Sequence, residues 1–484
     1  MKKIAIACLL GLILASGCKV GEVTQPQSRI NLPGEFALVE GQVADSVAQV
    51  SWESFFKDEN LKTLISSALS NNQDNLMTLE RIKAARASMM AAKAGLFPAV
   101  SGMAGASRRK FGEFTMDGVG NFDTNLSEDL PADKRIPDPY RDFIIGANFN
   151  WEVDVWGKLR NQKRAAASRY LASEEFAKSV RTWLVSDVAT NYYELLAIDA
   201  EIQVLNENIR LQGLALQLIL ELKEGGRANQ LAIDQFEALV LNSKSQLEAK
   251  LREQKTLEYA LTRLVGKVEV AMNRTNLDEA VETPRVMEIG IPAQLIQSRP
   301  DVREAELNLQ ATNFNVSAAK AAFYPSINLF GMAGFNAFEF SKLFFNPAST
   351  MYQLGAGLTA PIFNRRQVQT EFELARADQQ VALLDYEKRT LNAYLEVLDL
   401  VNQISTLDNQ LKLKENEVNV LQRSIENSNT LFSVGYANYL EVITAQTRAL
   451  ESAIELADLK ASRLQSHVQL YRALGGGWQA GPHG

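Results

Sequence analysis

Between Phe363 and Val434 the apolar residues recur at alternating spacings of three and four. The stripe runs Ile404, Leu407, Leu411, Lys414, Val418, Leu421, Ile425, Ser428 and Phe432, with Lys414 and Ser428 as polar interruptions. An earlier stretch repeats the spacing in Ile202, Leu205, Ile209, Gln212, Leu216 and Ile219. Such spacing places one apolar seam along a helix that packs as a coiled coil or as a simple helical bundle. No proline lies between Pro139 and Pro284, and neither proline nor glycine interrupts 363–434. A helix from Val155 to Glu224 would be about 100 Å long, far beyond an ordinary globular helix. Both long stretches end in glycine turns, "KEGGRAN" and "SVGYAN", after which helix resumes toward Gly266 and Leu474. Each half of the chain therefore reads as a helical hairpin with a long arm.

Other segments alternate instead. In "DFIIGANFNWE", Phe143, Ile145, Ala147, Phe149 and Trp151 oppose Gly146, Asn148, Asn150 and Glu152. In "MYQLGAGLTA", Tyr352, Leu354, Ala356, Leu358 and Ala360 oppose Gln353, Gly355, Gly357 and Thr359. Two further strands follow Pro98 and Pro325, in the near-repeats "AAKAGLFPAV" (91–100) and "AAKAAFYPSI" (318–327), with Met103, Phe330 and Met332 on the inner face. Each proline disfavours helix in the residue before it, so each copy predicts a helix running straight into a strand. Upstream, 72–90 aligns with 299–317 in apolar spacing, and downstream "GGRANQLAID" matches "VGYANYLEVI". The chain is a tandem duplication. The connections 113–139 and 338–349 read as polar loops.

Strands of about ten residues with one apolar face and aromatics near the rim suit a transmembrane barrel. The alternative is a soluble hairpin packed on the helices. In the barrel reading Phe143, Phe149, Trp151, Tyr352 and Leu354 face lipid. Lipid tolerates no open sheet edge and bacterial barrels start at eight strands, so four strands per chain require several chains in one barrel.

Composition narrows the chemistry. The first residues, "MKKIAIACLLGLILASGC", combine two lysines, an apolar run too short to span a bilayer, and small residues before a cysteine. They resemble a lipoprotein export signal, which implies a covalent lipid on Cys18; Ala15 stands where that pattern usually has leucine, which here is Leu14. Cys8 would leave with the leader, so no disulfide or cysteine-metal chemistry is expected. His467 and His483 are the only histidines and lie apart, so no metal site is expected either. No phosphate-binding glycine loop, nucleophile elbow or H-E-x-x-H occurs, so an enzyme and a bound cofactor are not expected. Without Lys2 and Lys3 the formal charge moves from −7 to −9, which disfavours nucleic acid as a partner.

The stretches "WESFFKDENLKTLISSALSNNQD", "FPAVS", "WEVDVWGKLR", "RPDVREAE" and "VGYANYLEVITAQ" lie in family order along the chain, which resembles the TolC/OprM outer-membrane efflux channels, on their lipoprotein side. The resemblance implies a homotrimer: a twelve-stranded transmembrane β-barrel continuing into a tunnel of twelve long helices in the periplasm. It implies a signal peptide at 1–17, a lipid-anchored tail at 18–51, a first repeat at 52–267 (hairpin about 98–152, arm 155–266), an equatorial segment at 268–293, a second repeat at 294–474 (hairpin about 325–362, arm 364–474) and a tail at 475–484.

The implied function is that of a passive duct in the outer membrane. It would work with a periplasmic adaptor and an inner-membrane transporter, proton-driven and of the RND type, to expel drugs, solvents or other small toxic compounds. Metal-ion efflux, type I protein secretion and a pore-less lipid-anchored scaffold are the alternatives. The turn glycines Gly226 and Gly435 would mark the tunnel tip, with Glu441, Asp234, Tyr439 and Phe432 as gate candidates. In the family pattern an acid follows the turn glycine by six places; that place is Glu441 in the second repeat but Ala232 in the first, where Asp234 is the nearest acid. Glu441 is open to two readings, a pore-ring carboxylate or the partner of an Asn438 helix cap.

Overall fold

The structure, a computed structural model, describes residues 27–30, 32–33, 50–281 and 298–479. Cys18, the leader 1–17, most of the tail 18–51 and parts of 268–293 and 475–484 lie outside the described residues. The first repeat contains α1 (Trp52–Phe55), α2 (Glu59–Asn71), α3 (Gln73–Ala94), β1 (Ala99–Arg109), α4 (Met116–Asn125), β2 (Tyr140–Val153), α5 (Lys158–Glu224) and α6 (Gln230–Val265). After α7 (Leu277–Val281) the second repeat contains α8 (Pro300–Ala321), β3 (Ser326–Ala337), β4 (Thr350–Thr359), α9 (Gln367–Ser433) and α10 (Tyr439–Ala473). Each long helix, α5 and α9, has 67 residues.

Both junctions fold alike. In the first, the Phe97 amide still donates to Ala94 (2.9 Å); in the second, the Tyr324 amide donates to Ala321 (3.1 Å), and each strand begins right after its proline. The compact units do not follow the repeats. One unit gathers 85–170 and 308–382, the other 27–84, 171–307 and 383–484, so each repeat supplies both.

The first unit is built on an antiparallel meander, β1-β2-β3-β4. Its register aligns Val100 with Phe149, Phe149 with Gly331, and Gly331 with Leu354. Since side chains alternate between faces, Phe143, Phe149, Trp151, Tyr352 and Leu354 share one face, while Met103, Asn148, Phe330, Met332 and Gln353 share the other. Two glycines exist to receive aromatic rings. A Cβ on Gly331 would lie 2.2 Å from the edge of the Phe149 ring, and one on Gly355 would lie 2.5 Å from the Phe330 ring.

The segment "WEVDVWGKLR" clamps the two junctions. The Trp151 indole donates to the Leu96 carbonyl (3.0 Å) and the Trp156 indole to that of Pro325 (2.7 Å). Trp156 also stacks on Tyr324, with ring centroids 5.0 Å apart. Asp154 then starts α5 by accepting from the Leu159 amide (3.1 Å) and the Arg160 amide (2.9 Å).

The connections between paired strands are less plain than their polar residues suggest. The 113–139 connection contains α4, capped by Thr115, whose hydroxyl accepts from the Gly118 amide (3.2 Å). Phe114, Met116, Phe122 and Leu126 are exposed there. Gly118 and Gly120 lower the helix propensity of this stretch, which hid the helix from a pattern reading. The 338–349 connection holds a 3₁₀ turn, Phe340–Lys342, with Phe340, Phe344 and Phe345 exposed.

The second unit has a core around Leu61, Ile65, Val188, Tyr192, Leu464 and Tyr471. Tyr471 stacks flat on Phe55, centroids 4.0 Å apart. The seam residues read from the sequence all point inward, buried or half-buried. Their polar interruptions find partners: Gln212, fully buried, donates to Asn208, Lys414 bridges Glu417 (2.7 Å) and Glu455 (2.6 Å), and Ser428 donates to Ile425 O (3.0 Å).

Candidate functional site

Both arm turns close in the same way. Gly226 (φ 74°) and Gly435 (φ 84°) take the left-handed conformation that glycine reaches without strain. The Gly226 amide donates to Lys223 O (2.9 Å) and that of Arg227 to Leu222 O (2.8 Å). In the second turn, Gly435 donates to Phe432 O (3.1 Å) and Tyr436 to Leu431 O (2.8 Å). These paired bonds satisfy the last carbonyls of α5 and α9.

An asparagine restarts each helix, but the caps differ. Asn438 Oδ1 accepts from the amides of Leu440 (3.0 Å) and Glu441 (3.2 Å), while Glu441 Oε2 accepts from the Asn438 amide (2.8 Å). Glu441 thus completes a capping box and remains exposed. At the first tip Asn229 Oδ1 accepts from the Ala232 amide (3.0 Å), and no carboxylate returns the bond, because the position of Glu441 is taken by Ala232, which is buried. Asp234 is exposed and accepts from the Gln230 side chain (2.7 Å).

The tips share one apolar cluster. Ile219, Ala232, Ile233 and Phe236 of the first arm bury Val442 of the second, with Phe432 and Tyr439 half-buried against them. Thus Phe432 and Tyr439 pack in the cluster, whereas Glu441 and Asp234 stand at the surface. The seam pattern included Ile219 but not Phe236 or Val442, which become core only because another arm covers them. A cavity of 240 Å³ lies beside this cluster, between Leu214, Leu218, Ile425 and Gln446.

Two buried ion clusters brace the second unit. Arg299 binds Asp301 (2.8 Å) and Glu396 (2.6 Å); burial alone would raise the Asp301 carboxyl, yet the guanidinium holds it below its usual value. Glu201 is fully buried, 2.6 Å from the Lys250 ammonium. Its burial, reinforced by Asp458, outweighs Lys250 and pushes the Glu201 carboxyl up to about 7. Among the described residues no helix is long and apolar enough to cross a membrane, and no group of three or more His, Cys, Asp or Glu side chains could hold a metal ion.

A duplicated chain that pairs two β-hairpins in one meander with two helical arms defines a class, the outer-membrane channels with long helical tunnels. The chain belongs to the outer membrane efflux protein family, whose model matches residues 64–267 and 291–476. It is 30% identical over 468 residues to the cation efflux system protein CusC of Escherichia coli O6:H1, covering 96% of each chain. It is 28% identical over 477 residues to the solvent efflux pump outer membrane protein SrpC of Pseudomonas putida, covering 97% of each. A solved structure of CusC superposes with a TM-score of 0.80 at 28% identity, covering 95% of this chain and all of that one. The protein is an efflux component of the outer membrane, and the family is one of transport proteins.

Proposed function

We propose that three copies join their sheets into one twelve-stranded barrel, continued by twelve helices as a periplasmic tunnel, and that this trimer is a passive duct for drugs, solvents and other small toxic compounds. The observation that carries the reading is the meander: β1 and β4 each pair with one strand only among the described residues, and one face is apolar from Val100 to Leu358. Unpaired edges are intolerable in lipid, so closure through further copies resolves them. An adaptor and a proton-driven RND-type transporter supply the energy that this chain lacks the motifs to provide. A lipid on Cys18 anchors the amino terminus, and the repeats, equatorial segment and tails carry the boundaries expected from the sequence. At the periplasmic tip Glu441 lines the opening as well as capping α10, with Asp234 contributing more weakly.

The test is the mass of the detergent-extracted particle together with its conductance in planar bilayers. A monomer, or a trimer that passes no current, refutes the reading. Export of metal ions is a second reading, favoured by the similarity to a protein named for cation efflux. Expression in a host lacking its own efflux channel separates the two: rescue against toluene and dyes supports the first, rescue against transition-metal salts alone the second.

A further inference from the structure

A cavity of 260 Å³ opens in the second unit, away from the arm tips. Phe55, Phe56, Leu464 and Val468 give it an apolar wall, and the side chains of Tyr193 and His467 reach it from α5 and α10. His467 is only 7% exposed, and neither ring nitrogen has a hydrogen-bond partner among the described residues. Buried polar atoms are almost always satisfied, so an imidazole aimed into a hollow with both nitrogens idle requires explanation. Tyr193, 8% exposed, stands beside it.

The charges around the cavity define what could satisfy that imidazole. Burial, with Arg463 adding to it, keeps the ring neutral, its pKa pushed down to about 4 despite Asp408 nearby. Asp58 is already engaged, accepting from the Asn60 amide (2.8 Å) and the Tyr192 hydroxyl (2.7 Å). Lys57 and Glu279 line the same cavity with opposite signs. A carboxylate ligand could accept from the one N–H of the neutral imidazole but would meet two carboxylates, Asp58 and Glu279; an ammonium ligand would meet Lys57. A hydroxyl both donates and accepts, so it can partner one nitrogen of a neutral imidazole in either tautomer. The aromatic and aliphatic wall suits a flat apolar body, and the volume admits only a small one.

We propose that this cavity binds a small uncharged aromatic alcohol, its ring against Phe56, Leu464 and Val468 and its hydroxyl on His467. The site is separate from the duct reading and does not depend on it.

The experiment uses the full-length assembled protein in detergent, with ¹⁹F NMR line broadening of 4-fluorophenol and of fluorobenzene, which lacks the hydroxyl. The expected result is binding of 4-fluorophenol at least about tenfold tighter than fluorobenzene, because a buried hydrogen-bonding group left unpaired discriminates strongly. His467→Leu should abolish that preference and His467→Gln, which keeps a donor and an acceptor, should retain much of it. Because the chain has two histidines only, His467 and His483, selective ¹⁵N labelling of histidine adds an independent readout: the phenol should shift one imidazole and leave the other unmoved. Equal binding of the two probes, no binding of either, or a preference unchanged in His467→Leu would each overturn the proposal, leaving a cavity that holds ordered water.

Discussion

Arg299 Nη1 lies 2.6 Å from Glu396 Oε2 and 3.1 Å from the Ala473 carbonyl, so one guanidinium ties the start of α8 to α9 and to the end of α10. Its other nitrogens hold Asp301 at 3.0 and 2.8 Å. With the Arg299 side chain only 12% exposed, Arg299→Leu strips the partly buried Asp301 of its ion-pair partner and leaves Glu396 with Arg472 alone (2.6 Å). The expected loss is about 3 kcal/mol, the lower end for breaking a buried pair, since both acids keep some contact with water. Thermal unfolding followed by circular dichroism measures it. Arg299→Lys should recover little, because an ammonium cannot grip Asp301 with two nitrogens while reaching Glu396. A melting temperature unchanged in both variants would show that the cluster contributes nothing net.

The register gives the barrel reading a sharp test. Phe149 and Leu354 flank Gly331 on the apolar face, whereas Asn148 and Gln353 flank Met332 on the other. Aspartate at Phe149 or Leu354 should impair membrane insertion, costing on the order of 1–3 kcal/mol at mid-depth, while aspartate at Asn148 or Gln353 should be tolerated. Heat-resistant oligomer on semi-native gels reports the outcome. Equal tolerance at all four positions means that the faces are reversed or that no barrel forms.

Glu441→Gln separates a cap from a pore residue. Glutamine can still accept from the Asn438 amide, so the capping box should weaken by less than about 1 kcal/mol. If three Glu441 carboxylates also ring the opening, removing their charge should lower cation selectivity and relieve block by multivalent cations added on the periplasmic side. Single-channel recording decides. Currents identical to wild type, with only a small loss of stability, would confine Glu441 to its cap.

Two buried groups should give stability opposite slopes with pH. His467 has a folded pKa near 4 against about 6.5 unfolded, so its contribution is complete above pH 6.5 and is lost as pH falls through 4. Arg463 and Lys57 oppose its protonation, and Asp408, Asp58 and Glu279 favour it. Glu201 has a folded pKa of about 7 against 4.5, so its contribution is complete below pH 4.5 and is lost as pH rises through 7. Urea midpoints measured from pH 4 to 8 should therefore flatten on the acid side in His467→Leu and on the neutral side in Glu201→Gln. A Glu201→Gln profile parallel to wild type would show that Lys250 keeps Glu201 ionised throughout.

Much of the architecture was legible along the chain, because helical and strand periodicities are local. The seam from Ile404 to Phe432, the prolines that end two helices, the turn glycines and the alternation around Phe149 and Leu354 each follow from neighbouring residues and hard steric limits. Tertiary structure decided what depends on remote segments. Only the pairing of β2 with β3 joins the two hairpins into one meander. Only the second arm, through Val442, makes Ala232 and Phe236 a buried cluster, and that burial explains why an alanine stands where the other repeat has Glu441. Asp58, Thr275 and His467 come to one cavity from three segments distant in sequence. Burial is set by whichever segment arrives to exclude water, and no window of sequence contains that information.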